Sequence, residues 1–145
     1  MARAVSGSLL DTSILVAAQM SAEGLPPTAA ISVVSLGELH AGVRLARTRR
    51  IGELRRCRLD AVRRAFAALP VDEAVAERFG AALAVARQER RPAKATDLLI
   101  IATAAATSRT LHTMDAAQAQ LARACGVLVA ELGSPGDAPG GISGS

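Results

Sequence analysis

Four carboxylates in this chain stand where an acid needs a reason: Asp11, Glu38, Asp97 and Asp115. Asp97 lies at the start of "KATDLLIIATAAATS" (94–108), an apolar run of helical character. An acid there has an ordinary explanation, since Thr96 or Asp97 at a helix cap accepts a hydrogen bond from an unpaired backbone N–H. Glu38 has one too, because Ser35 precedes it by three residues in the S-x-x-E spacing of a capping box. On a helix, however, Glu38 shares a stripe with Val34, Ala41 and Leu45 that reads as core-facing, and a carboxylate on such a stripe needs a partner. If the four acids face one crevice they repel, and their pKa values rise unless a cation neutralises them. A hard divalent ion, Mg²⁺ or Mn²⁺, takes oxygen ligands, holds a phosphate oxygen and makes a water nucleophilic. The chemistry suited to such a cluster is hydrolysis of a phosphodiester.

Whether the acids meet depends on the elements that carry them. "SGSLLDTS" reads as a short buried strand with Asp11 at its carboxyl end, followed by a helix from about Ile14 to Ser21 and a breaker, "LPPT". "AAISVV" is a second strand passing into the helix "SLGELHAGVRLA"; an Arg-rich helix spans about Thr48 to Phe66; "LPV" is a short third strand. Asp72 starts a helix through Arg90, with Val75, Phe79, Leu83 and Ala86 at helical spacing. After "RRPAKAT" comes the helix carrying Asp97, then "TLHTMD" as a fourth strand, "AAQAQLARAC" as a helix stopped by Gly126, and "VLVAEL" as a fifth strand. Strands alternating with helices imply a three-layer α/β/α domain with a mainly parallel sheet. In such sheets the ligand sits at the carboxyl ends of the strands, where the strand order reverses. With the order 3-2-1-4-5, Asp11 and Asp115 are neighbours there. Asp97 joins them if the amino end of its helix, where the dipole favours negative charge, points to the same crevice.

Composition narrows the class further. A chain of 145 residues, 50% hydrophobic, fits one domain with its own core, here residues 1–132. The segment 133–145, "GSPGDAPGGISGS", is too rich in Gly, Pro and Ser to offset its ordering entropy and reads as a flexible tail. No apolar stretch approaches the roughly 18 uncharged residues of a membrane span, and Asp11 interrupts the only run that resembles a signal peptide. A cytoplasmic protein without a membrane partner is expected, with Cys57 and Cys125 as free thiols. Of the seventeen basic residues, nine lie between Arg44 and Arg64, against only Glu53 and Asp60. Arginines in that density attract phosphate backbones. Phe66 and Phe79 are the only aromatics, so a platform that stacks single-stranded bases is excluded.

"LLDTSIL" (9–15), "ISVVSLGELHAGV" (31–43), "ATDLLIIATA" (95–104) and "LHTMD" (111–115) together resemble the four acidic motifs of PIN-domain ribonucleases, specifically the VapC toxins of bacterial toxin–antitoxin pairs. The resemblance covers about residues 8–132. It implies a Mg²⁺- or Mn²⁺-dependent endoribonuclease that acts on RNA as a homodimer and is held inactive by a cognate VapB-type antitoxin. By that pattern Asp11, Glu38, Asp97 and Asp115 are the catalytic, metal-binding acids, with Thr12, Ser13 and Thr113 as supporting hydroxyls. Members often follow the fourth motif with an acid and an aromatic; "TMDAAQAQLA" supplies neither after Asp115. His40 and His112 are structural in this reading, because an acid–metal site needs no imidazole.

Other acidic phosphate sites fit less well. A phosphoacceptor receiver domain wants a second acid beside the first and a Lys after the last strand, whereas the only Lys is Lys94. A haloacid-dehalogenase-type phosphatase needs D-x-D-x-[TS], but Thr12 and Ser13 follow Asp11. The alternative that stays open is a non-catalytic PIN-like module that binds RNA or a partner through its arginine surface.

Overall fold

The computed structural model describes residues 7–17 and 28–132. Along them the chain forms β1 (Ser8–Leu10), α1 (Thr12–Leu15), β2 (Ala29–Ser32), α2 (Val33–Arg44), α3 (Arg49–Ala65), β3 (Ala67–Leu69), α4 (Glu73–Gln88), α5 (Ala95–Ala106), β4 (Thr110–Thr113), α6 (Ala116–Ala124) and β5 (Val129–Glu131). The strands make one sheet ordered β3-β2-β1-β4-β5 in which every neighbouring pair is parallel, as the alternation of elements implied. The central strand shows how the layers arise. Successive side chains on a strand point to opposite faces. Leu9 therefore joins Ala30 and Leu111 in a core closed by α4, α5 and α6, while Leu10 joins Ile31 in a second core closed by Leu39 of α2 and by Leu59 and Val62 of α3. A sheet with helices on both faces must be apolar on both, which explains why Leu9 and Leu10 are each fully buried.

Several element boundaries differ from those read in the sequence. The second strand ends at Ser32 rather than Val34, because the Ser32 hydroxyl accepts a hydrogen bond from the Val34 amide (3.0 Å) and caps α2. Ser35 therefore lies inside the helix, and no Ser35–Glu38 capping box forms. The buried face of α2 is Ser35 and Leu39; of the stripe expected to face the core, Val34 packs against the first core and Glu38 is half-buried, but Ala41 is exposed and Leu45 is 75% exposed. The third strand is 67–69, not 69–71: Ala67, Ala68 and Leu69 pair with Ala30, Ile31 and Ser32, whereas Pro70 has no N–H to give to a ladder. The first helix begins at Thr12, directly after the strand, and β5 is shorter than "VLVAEL". Residues 18–21 of the expected first helix, most of "LPPT" and the expected tail, 133–145, lie outside the described residues.

Other local signals are met as expected. Asp72 caps α4 by accepting from the Val75 amide (2.9 Å). Gly126, at φ +79°, adopts the left-handed conformation that follows the end of α6 and favours glycine. Cys57 and Cys125 are both free. Among the described residues no helix is long and apolar enough to cross a membrane.

Candidate active site

The crevice lies at the carboxyl edge of the sheet. Pairing of β1 with β4 in the register Leu10↔His112 places Asp11, the residue after β1, against the end of β4, and the Asp11 amide donates to the His112 carbonyl (2.8 Å). Asp11 is 5% exposed, so its carboxylate must be satisfied locally. Ser13 and Thr113 do this, each donating its hydroxyl to Oδ2 at 2.8 Å. The two hydroxyls lie 3.3 Å apart, and both also accept from the β4–α6 turn, Ser13 from the Met114 amide (3.0 Å) and Thr113 from the Asp115 amide (3.0 Å). Loop and strand end are thus fastened to one carboxylate.

Glu38 reaches the crevice from the second turn of α2. Thr12, the first residue of α1, donates to its Oε1 (2.8 Å) and also shares a hydrogen bond with the Ser35 hydroxyl (2.9 Å). Asp115 caps α6, its Oδ1 accepting from the amides of Ala117 (2.9 Å) and Gln118 (3.1 Å). Asp97 sits in the first turn of α5, whose cap residue is Lys94. Neither Thr96 nor Asp97 is the cap, and among the described residues no hydrogen bond reaches the Asp97 carboxylate. The backbone carbonyl of Asp97 accepts from Gln118 Nε2 (3.0 Å), which ties α5 to α6.

Electrostatics show that the four acids share this edge. The Asp97 pKa is raised, first by burial, then by the charges of Asp11 and Glu38; Lys94 opposes the rise and Asp115 adds to it. No ion pair offsets this among the described residues, where the ion pairs are Arg91–Glu89 (2.6 Å) and Arg123–Glu131 (3.5 Å). Three of the carboxylates commit one oxygen to the protein and keep the other: Oδ1 of Asp11, Oε2 of Glu38 and Oδ2 of Asp115 have no protein partner among the described residues. Every oxygen around them, carboxylate or hydroxyl, is a hard donor.

Residues 8–124 match the PIN domain. The chain belongs to the PIN domain family. PIN domains are nucleases. This one is similar in structure to a member of the VapBC family of toxin–antitoxin systems, VapBC-5 from Mycobacterium tuberculosis. The two share 31% identity at a TM-score of 0.77, over 87% of this chain and 98% of that one. It is also similar to FitAcB from Neisseria gonorrhoeae, with 26% identity and a TM-score of 0.70, over 83% of this chain and 94% of that one. VapBC2 from Rickettsia felis, bound to a DNA fragment from its promoter, shares the fold at 22% identity and a TM-score of 0.71, over 87% of this chain and 98% of that one. No curated protein matches the sequence.

In this PIN domain the residues singled out in the sequence come together. Asp11, Glu38, Asp97 and Asp115 lie along one sheet edge, and Thr12, Ser13 and Thr113 bond to the acids or to one another. Other participants were not anticipated. Ser35 is fully buried beneath Thr12; its position four residues before Leu39, on the buried face of α2, was the available signal. Lys94 is the one cation acting on Asp97, and Gln118 links two helices under the site. Beside Glu38, a cleft of about 280 Å³ is lined by Thr12, Val16, Leu39, Gly42, Arg55 and Arg58. His112, as expected, is structural: its Nε2 lies 3.0 Å from the Ser8 hydroxyl, and burial lowers its pKa.

Proposed function

We propose that this PIN domain is the toxin of a type II toxin–antitoxin pair, a Mg²⁺- or Mn²⁺-dependent endoribonuclease of the cytoplasm whose catalytic, metal-binding residues are Asp11, Glu38, Asp97 and Asp115. The observation that carries the reading is the set of free oxygens. Each of three acids is fixed by a hydroxyl or by backbone amides on one oxygen, and the fourth is left unpaired in a field of like charge. Carboxylates held in this way are oriented but not neutralised.

The donor set fits a hard divalent cation and no softer one, being built of oxygen without Cys or His. Among the described residues no group of three or more His, Cys, Asp or Glu side chains is placed to hold a metal ion. Mg²⁺ keeps several of its waters and needs only one or two carboxylates to bind. When bound, such an ion offsets the repulsion of the acids, polarises a phosphodiester and lowers the pKa of a water. The chain's own residues supply the geometry. Thr113 and Ser13 aim Asp11 from one side, Thr12 aims Glu38 from the other, and the start of α6 fixes Asp115. In RNA hydrolysis, oxygen from water bonds to phosphorus as the bond to the 3′ oxygen breaks, which leaves a 5′-phosphate and a 3′-hydroxyl.

Two further features support the partner side of the reading. The similar structure from M. tuberculosis is of a member of the VapBC family of toxin–antitoxin systems. On this chain Val16 and Leu45, which follow α1 and α2, and Ile51 and Leu54 of α3 are exposed, apolar surface of the kind a VapB-type antitoxin or a second copy in a homodimer would cover. The test is incubation of purified protein, free of any partner, with total RNA with and without Mg²⁺ or Mn²⁺. Cleavage that requires the metal and leaves 5′-phosphates is expected. Cleavage that persists in excess EDTA refutes the mechanism, and RNA binding without cleavage at any metal concentration returns the protein to a non-catalytic module.

A further inference from the structure

Nine arginines crowd the segment 44–64, but they do not all face the same way. Around α3 the buried residues are Leu59 and Val62. Most of the arginines lie away from that face, on exposed surface that also carries Glu53. Arg55 and Arg58 are different. Both are only half-exposed, and both line the cleft that opens beside Glu38 and Thr12. Arg55 Nη1 donates to the Gly42 carbonyl at 2.6 Å, so its guanidinium is held by a neutral acceptor that leaves the charge uncompensated. Among the described residues neither arginine makes an ion pair.

Three residues apart on a helix, the two side chains start from Cβ atoms about 5–6 Å apart on one face. That is close enough for two planar forks to take one phosphate or two successive ones. We propose that Arg55 and Arg58 are the phosphate grip of this site, holding the RNA strand on the Glu38 side of the acidic crevice so that a neighbouring phosphodiester lies over the carboxylates. This rests on the nuclease reading above and names how that site takes its substrate. The cleft contains no aromatic side chain, so the grip reads backbone charge and not base identity. The acids repel a polyanion, and a cationic wall in the cleft beside Glu38 is what lets the strand approach.

The test measures binding of a fluorescently labelled single-stranded RNA of roughly 12 nucleotides, within single-strand site sizes, to the full chain in EDTA across a salt series. Cleavage is followed separately with Mg²⁺ or Mn²⁺. Arg58→Gln, which removes no bond to the protein, is expected to weaken binding roughly tenfold, as for a lost charge-assisted hydrogen bond. It should also reduce the slope of log K against log salt by about 0.7, the value for one phosphate on a single strand. Arg55→Gln should do the same if its melting curve stays cooperative, and the double variant should lose about 1.4 of slope. Arg87→Gln, an equal charge change on α4 across the sheet, is the control and should leave the slope unchanged. Wild-type protein that cleaves RNA while both cleft variants keep its slope and affinity overturns the grip and leaves the nuclease reading standing. RNA binding that depends on both arginines, without metal-dependent cleavage, supports the grip and refutes the nuclease. Unchanged RNA binding with loss of a protein that co-purifies from the native host would assign the cleft to that partner and overturn the proposal.

Discussion

Replacing Asp97 with Asn separates a structural acid from a metal ligand, because the two side chains have nearly the same shape and Asn is almost as good as Asp near a helix start. Asp97 interacts with three like charges, Asp11, Glu38 and Asp115, and one opposite charge, Lys94. Two repulsions are left uncancelled. Each is on the order of half a kcal/mol once screened by the solvent that still reaches this half-buried group. The metal-free Asp97→Asn protein should therefore be as stable as wild type or about 1 kcal/mol more stable at pH 7, a rise in Tm of up to about 4 °C for a domain of this size. The sign follows from proton linkage. A carboxyl whose folded pKa is raised destabilises the fold while it is charged, so the variant's advantage is full above the folded pKa and disappears as pH falls below the ordinary carboxylate range. Metal reverses the comparison. If Mg²⁺ at about a hundred times its wild-type Kd stabilises by about 2.7 kcal/mol, a tenfold loss of affinity leaves about 1.4 kcal/mol, and the Mg²⁺-induced rise in Tm shrinks by about 3–5 °C. Cleavage should fall at least about a hundredfold, as when positioned electrostatic chemistry is lost. Melting curves with and without Mg²⁺ at pH 4 and pH 7, with RNA cleavage at pH 7, test each part. A variant that cleaves normally and shows the full metal shift would refute the assignment of Asp97 to the metal.

Asp115→Asn asks the same question of a residue with a demonstrable cap: Asn preserves the bonds to the Ala117 and Gln118 amides, so melting should change by less than about 1 kcal/mol while cleavage falls by an order of magnitude or more; equal activity would leave Asp115 as a cap only. Thr113→Val removes a fully buried hydroxyl that donates to Asp11 and accepts from the Asp115 amide, so urea unfolding should show a loss of about 1–3 kcal/mol; a neutral result would mean that the network does not hold the β4–α6 turn. His112 has a lowered pKa, so the unfolded chain takes up its proton first and stability should fall as pH drops below the usual histidine range. His112→Gln should flatten that part of the Tm–pH curve, and an unchanged curve would assign the slope to other groups.

The fold was legible in the sequence because it follows from patterns of short range. "SLL" flanked by turn formers, helices of 3.6 periodicity between strands and the lack of hairpin signals leave a parallel sheet as the only way to bury Leu9 and Leu10 on opposite faces. Asp11 was legible for a related reason, as a charge at the end of a buried strand, whereas Glu38 and Asp97 are only half-buried and Asp115 is exposed. What the sequence misplaced were boundaries decided by a single hydrogen bond. Ser32 and Ser35 are equivalent as letters, and only the path of the chain out of β2 makes the first the cap of α2 and the second a buried partner of Thr12. Pro70 moved β3 by two residues because a ladder needs an N–H that the run "LPV" lacks.

Local pattern thus determined which residues are apolar, which acids are unusual and where helices start. Tertiary structure alone decided which carboxylate oxygen is held and which is left free, and which two of nine arginines turn inward beside Glu38. The reason is distance along the chain. Asp11 is oriented by Thr113, 102 residues away, and Thr12 by its bond to Glu38, 26 residues away; such contacts leave no trace in spacing because closing long loops constrains neither residue type nor periodicity until the sheet has formed.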